Sequence, residues 1–220
     1  MTAPTPGDAG FDLETVDRLL STTRAVRRRL DLERPVPLEL IEECLELAIQ
    51  APTGTSLETW RWLVITDPVV KQRLGQLYRA GAPAHSRTDA GPDVTARLSE
   101  ATRTRLNAST DHLRNNIERV PVLVVPCVEA IGGAAGWAPS IYPAVWSLML
   151  ALRSRGLGSV MTTVHLYHRD EADELLGVPD GFVQTCLVPV AYTIGTDFKP
   201  AKRRPVREVA FLDRWGQPLG

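Results

Sequence analysis

Ala51-Pro52-Thr53-Gly54-Thr55-Ser56-Leu57-Glu58-Thr59-Trp60-Arg61-Trp62 changes its structural signal three times within a dozen residues. Ahead of it, Leu38 to Gln50 sets Ile41, Cys44, Leu45, Ala48 and Ile49 on one side of a helical period, with Glu39, Glu42, Glu43 and Glu46 on the other. Pro52 and Gly54 end that period, because proline restrains its predecessor and lacks a donor, while glycine opens backbone angles that other residues avoid. Trp60 to Thr66 then reads as a buried strand. A connection of small and hydroxyl residues leaves backbone N–H groups uncovered, so it is either an ordinary surface turn or a bed for a flat polar ligand.

Toward the N-terminus, residues 1–10 read as a flexible leader holding Pro4, Pro6, Gly7 and Gly10, and Phe11 to Ser21 reads as a helix. Between that helix and Pro35 lie Arg24, Arg27, Arg28 and Arg29, four like charges in six residues. They repel one another unless an anion or an acidic partner sits among them. A solvated face or a nucleic-acid patch are the other readings, but no basic stripe extends the cluster and no aromatic residue interleaves it.

Toward the C-terminus, Asp67-Pro68 opens a helix reaching about Ala80. Residues 81–110, with Gly81, Pro83, Gly91 and Pro92, read as a mobile lid segment carrying a polar helix. Asp111 to Arg119 is helical, Pro121 to Val128 is a central strand, and Gly132 to Gly136 is a glycine-rich turn. Ala144 to Ser154 is apolar all round and must be enclosed, either by a large core or by a second subunit. Ser159 to Val164 reads as a short strand, Asp170 to Leu176 as a helix closed by Gly177, and Phe182 to Tyr192 as an apolar strand. A basic tail, Lys199 to Val206, and aromatic anchors from Phe211 to Trp215 finish the chain.

With 220 residues and 44% hydrophobic content, the chain fits a single domain over residues 11–220. A net charge of -1 argues against a chain built to neutralise phosphate backbones. The richest apolar runs, Val120 to Val128 and Val145 to Leu152, fall far short of the roughly 20 residues that span a bilayer. Met1 to Asp12 lacks the basic start and apolar middle of an export signal, so a cytoplasmic location is expected. Cys44, Cys127 and Cys186 are odd in number and lie in apolar surroundings, the pattern of buried thiols. No G-x-x-x-x-G-K-[ST] loop, no G-x-G-x-x-G after the first strand and no G-x-S-x-G elbow occurs. His165 and His168 have no partner at metal spacing, and His85 and His112 have no nucleophile marked out for them.

Taken together, the arginine cluster, the 51–62 loop, the Thr-Thr strand end and the Lys-Arg-Arg-Pro tail resemble, in matching order from about Leu20 to Gly216, the nitroreductase family of FMN-dependent oxidoreductases. Arg24-Ala25-Val26-Arg27 is similar to the family's Arg-Ser-x-Arg flavin-phosphate signature, and Ala51 to Trp60 to its A-P-S-x-x-N-x-Q-P-W loop. Leu157 to Thr163 resembles the strand beside the flavin ring, Val188 to Tyr192 the strand before the closing segment, and Arg203 the closing arginine. The resemblance implies a three-layer α/β/α sandwich of the α+β class, a central mixed and mostly antiparallel sheet, and a homodimer with FMN at the subunit interface.

It also implies a site in which Arg24, Ala25, Arg27 and Arg203 meet the phosphate, Pro52, Thr53, Gly54 and Ser56 border the ring, and Met161, Thr162 and Thr163 bound its other side. Hydride would pass from NADH or NADPH through flavin N5 to an electron-poor small-molecule acceptor such as a nitroaromatic or quinone. The cofactor performs that transfer, which accounts for the lack of a catalytic acid–base pair. The sequence departs from the pattern at Ala25 for serine, Ser56 for asparagine, Glu58 for glutamine and Thr59 for proline. A Glu58 carboxylate near the ring would lower the flavin's potential, unless it points away to an arginine. A non-turnover store or sensor of the same fold is the alternative reading.

Overall fold

The computed structural model describes residues 10–86, 98–131 and 140–219. Two compact units emerge. One joins the two ends of the chain, up to Thr23 and from Asp197, and the other runs from Arg24 to Thr196. In the first, α1 (Leu13–Thr22) is capped by Asp12, whose carboxylate accepts from the Glu14 and Thr15 amides at 3.2 and 3.4 Å. In its C-terminal part the Phe211 and Trp215 rings lie 5.0 Å apart, and Trp215 is 92% exposed. The 1–10 leader falls outside the described residues, Gly10 excepted.

The second unit holds the sheet. Its strands are β1 (Trp60–Ile65), β2 (Val122–Glu129), β3 (Leu157–Ser159), β4 (Phe182–Gln184) and β5 (Val188–Tyr192), ordered β1-β2-β5-β3, with β4 also on β2. Every pairing among them is antiparallel, and the sheet becomes mixed through a parallel bridge between Ala25 and Ser159. Helices α2 (Leu38–Ala48) and α5 (Ile141–Ser154) cover one face, burying Ile41, Cys44, Val145 and Leu148 with Val122, Val124, Val188 and Val190. Strand side chains alternate, so the equally buried Leu123 and Val125 face the opposite way. There α3 (Pro68–Ser86) buries Leu74 and Tyr78, with α4 (Glu100–Asn116) and α6 (Arg169–Leu176) packed on it. The three layers expected of the sequence are therefore present.

Several boundaries differ from expectation. Helix α3 runs through Gly81 and Pro83 to Ser86 because Gly81 is a contact residue: a Cβ there would lie 2.3 Å from the Val164 carbonyl oxygen. The polar helix expected within 81–110 and the helix expected over 111–119 are one helix, α4, followed by a 3-10 turn at Ile117–Arg119, and residues 87–97 lie outside the described residues. The single strand read over 182–192 is two strands. Pro126 has no N–H for that edge of β2, its carbonyl accepts from Thr185, and Leu187 exchanges both backbone bonds with Thr162 instead, at 2.9 and 2.7 Å. The strand read over 159–164 is correspondingly short, since β3 stops at Ser159 and Val164–His168 forms a 3-10 turn. The turn at 132–136 lies outside the described residues.

Helix α5 is enclosed on one side by its own chain, while Tyr142 and Trp146 stay 37% and 41% exposed on the other. All three cysteines are buried free thiols. Burial pushes Cys127 up to about 11 and Cys186 up to about 12, and raises Cys44 as well. Among the described residues, no helix is long and apolar enough to cross a membrane.

Candidate functional site

The 24–27 segment lies along β3. The Val26 amide donates to the Ser159 carbonyl at 2.9 Å. This close approach needs Gly158, since a Cβ there would meet Thr193 Cγ2 at 2.7 Å and Val26 Cγ1 at 3.0 Å. The arginine cluster divides its charges by direction. Arg24 and Arg28 are exposed, Arg29 Nε donates to the Ile194 carbonyl at 2.7 Å, and the neighbouring Arg34 stacks 3.4 Å over the Tyr192 ring.

Arg27 turns inward instead. It is half-buried, burial lowers its pKa, and the phenol of Tyr78 lies within its electrostatic reach. No carboxylate pairs with it among the described residues. Tyr78, 2% exposed, shares a hydrogen bond with Thr162 Oγ1 at 3.0 Å. Met161 and Thr163, either side of Thr162, are exposed. The fold thus gathers Arg27 and Thr162, distant in sequence, through the Ala25–Ser159 and Thr162–Leu187 bridges.

The 51–59 loop is held elsewhere. Its 3-10 turn Gly54–Ser56 closes with Leu57 N donating to Gly54 O at 3.1 Å, and the Glu129 amide ties Thr59 to the end of β2 at 3.0 Å. Pro52 and Ser56 are exposed, and Thr53 and Gly54 half-buried. Ser56 has φ 58, a left-handed conformation that asparagine tolerates better than serine, which explains physically why the resembled loop carries asparagine there. Arg61 donates to the Trp60 carbonyl at 2.7 Å and to the Glu58 carbonyl at 3.5 Å. The Glu58 carboxylate itself makes no ion pair among the described residues. The contacts of this loop run to the β1–β2 end, whereas those of Arg27 and Thr162 run to β3, β5 and α3. Arg203 belongs to the other compact unit, where it is exposed.

Tyr78 went unmarked in the sequence because an aromatic residue at helical spacing from Lys71 and Leu74 reads as core. The histidines take structural posts. His165, fully buried, donates from Nε2 to Gln184 Oε1 at 3.2 Å, and Gln184 Nε2 donates to Asp173 Oδ1 at 2.7 Å. Burial pushes His165 down to about 4. His168 pairs with Glu171 at 3.1 Å near the surface. Lys71 donates from Nζ to the Val120 carbonyl at 2.9 Å, pinning α3 to the start of β2.

A family model described as "Nitroreductase family" matches residues 20–192. The chain is 29% identical over 178 residues to an iodotyrosine deiodinase of Thermotoga neapolitana, covering 79% of this chain and 86% of the relative. It is also 29% identical over 206 residues to an NADH dehydrogenase of Thermus thermophilus, covering 89% and 97%. Among solved structures, an oxidized iodotyrosine deiodinase bound to FMN and 3-iodo-L-tyrosine superposes with a TM-score of 0.70 at 24% identity, over 92% of this chain and 99% of that one. An FMN and NADPH-dependent nitroreductase, NfnB, from sphigopyxis sp. strain HMH gives 0.69 at 19% identity, over 90% and 99%. At those identities the two structures speak to the fold.

Proposed function

The chain belongs to the nitroreductase family, and on that premise we propose that it is an FMN-dependent oxidoreductase, working as a homodimer, that passes reducing equivalents from NADH or NADPH to an electron-poor small molecule. The observation that carries this reading is Arg27, a half-buried cation with no acid beside it among the described residues, within electrostatic reach of Tyr78, which in turn contacts Thr162. A phosphate carrying nearly two negative charges fits that vacancy of charge, because a guanidinium binds it through forked, charge-assisted hydrogen bonds. In this reading Arg24 joins Arg27 at the phosphate. Backbone groups from Pro52 to Ser56 border the ring edge, and Met161, Thr162 and Thr163 bound its other side.

When bound, FMN would supply the hydride-transfer chemistry. The protein's share is to hold the phosphate, orient the ring and exclude water around it. The separate anchorage of the 51–59 loop and of the Arg27–Thr162 group supports a pocket completed by a second copy of the chain. The exposed side of α5 supports the same assembly. Nitroaromatics and quinones are the proposed acceptors, and relatives named iodotyrosine deiodinase add a halogenated phenol to the panel.

The test begins with FMN added to purified protein, where quenching of flavin fluorescence and a yellow complex are expected. Stopped-flow mixing with NADPH, and separately with NADH, should bleach that colour within seconds, and acceptor should restore it. A complex that forms but keeps its colour would select the non-turnover store or sensor, which the Glu58 carboxylate, without an ion pair among the described residues, and the missing hydroxyl at Ala25 favour. No complex at all would end the flavin reading.

A further inference from the structure

Tyr78 carries chemistry that neither the motifs nor the proposed reaction assigns. Its hydroxyl is almost fully withdrawn from water and meets Thr162 Oγ1 at 3.0 Å, while the Arg27 guanidinium acts on it electrostatically. Two features hold this arrangement rigid. Thr162 already exchanges both backbone hydrogen bonds with Leu187, at 2.9 and 2.7 Å, so its main chain has no freedom to shift. One turn along α3, Gly81 presses on the Val164 carbonyl so closely that no side chain fits, which fixes the register of the helix against residues 162–164.

We propose that Tyr78 is a positioning residue of the flavin site: its buried phenol, hydrogen-bonded to Thr162 Oγ1, holds that hydroxyl in place. The positive charge of Arg27 acts on the same phenol that Thr162 contacts. Either hydroxyl can donate in this bond, so the Tyr78 and Thr162 hydroxyls orient as one unit. Two side chains expected to face the cofactor are thus coupled through a third that does not face it. Such coupling in a site poor in water is stronger than the same pair would show at the surface.

The inference rests on the flavin reading, and one experiment separates their failures. FMN affinity, the visible absorption spectrum and the midpoint potential of bound FMN are measured for wild type, Tyr78→Phe, Thr162→Val and the double variant, with the melting temperature as a check on folding. Each single variant is expected to lose about five- to tenfold in affinity, the worth of one buried hydrogen bond. Both should move the flavin bands and the potential in the same sense, and the double variant should be little worse than either single one. Wild-type affinity, spectrum and potential in folded Tyr78→Phe would overturn the role of Tyr78 while leaving the cofactor assignment intact. So would effects of the two substitutions that simply add. Failure of the wild type to take up FMN would remove the cofactor reading itself, and this inference with it.

Discussion

A half-buried guanidinium with no acid partner among the described residues is unfavourable in isolation, and in the proposed function an anion at Arg27 would offset that cost. Replacing it as Arg27→Gln should weaken FMN binding roughly 10- to 100-fold, the range for a charge-assisted hydrogen bond, and Arg27→Lys should restore part of the loss. Fluorescence titration decides it, and unchanged affinity in the glutamine variant would remove Arg27 from the site. His165 is a residue of stability instead. Its folded pKa, about 4, lies below the ordinary 6.5 because burial disfavours the charged ring. The unfolded chain thus binds the proton more readily between those values. Stability from this group is complete above pH 6.5 and drains as pH falls toward 4, on the order of 3 kcal/mol. Melting curves from pH 7 to pH 4 should show that loss, and His165→Gln, which keeps a donor for Gln184 but does not titrate, should flatten it. At this scale motif order in the sequence named Arg24, Arg27 and Thr162 as candidates. It was silent about Tyr78 and the His165–Gln184–Asp173 chain, whose meaning arises from contacts 84, 19 and 11 positions apart.

Elements in this chain are set by close approaches as much as by hydrophobic period. Gly158 lets the 24–27 segment lie along β3, and Gly158→Ala would drive a methyl group into Thr193 and Val26. Overpacking of that kind costs about 1–3 kcal/mol, and here it should also weaken FMN binding by displacing Arg27. A variant that loses stability yet binds FMN like wild type would separate the strand contact from the site. Gly81→Ala should destabilise through α3 and the Val164 carbonyl, read as a lower melting temperature. The same two contacts explain what the pattern of residues revealed and what it hid. Helices α2, α5 and α6 and strands β1 and β2 followed their apolar periods closely. Gly81 and Pro83 read as a helix end because local propensity counts them as breakers, whereas packing on Val164 uses the glycine for its lack of a side chain. The interruption between β4 and β5 was hidden because every residue there is apolar or small. Only the missing donor of Pro126, on another strand, breaks the ladder.

For the molecule as a whole, the apolar side of α5 that carries Tyr142 and Trp146 calls for a cover, and a second copy of the chain is the proposed one. Light scattering should report twice the 24.2 kDa chain mass, and Trp146→Glu should shift it toward the single-chain value and lower FMN affinity together. A dissociated variant that still holds FMN tightly would place the whole pocket within one chain. The layered architecture was legible beforehand through the family resemblance, with the apolar runs of the helices and strands in keeping with it, whereas the path of the two chain ends was not, being polar and aromatic without period. The withdrawn thiols of Cys44, Cys127 and Cys186 have a consequence for how such a catalyst ages. Quinones and oxygen by-products attack sulfur as the exposed anion, and here each sulfur is held protonated behind the sheet and helices. The folded protein should therefore ignore Ellman's reagent and iodoacetamide, and keep its mass through many turnovers in air without an added thiol.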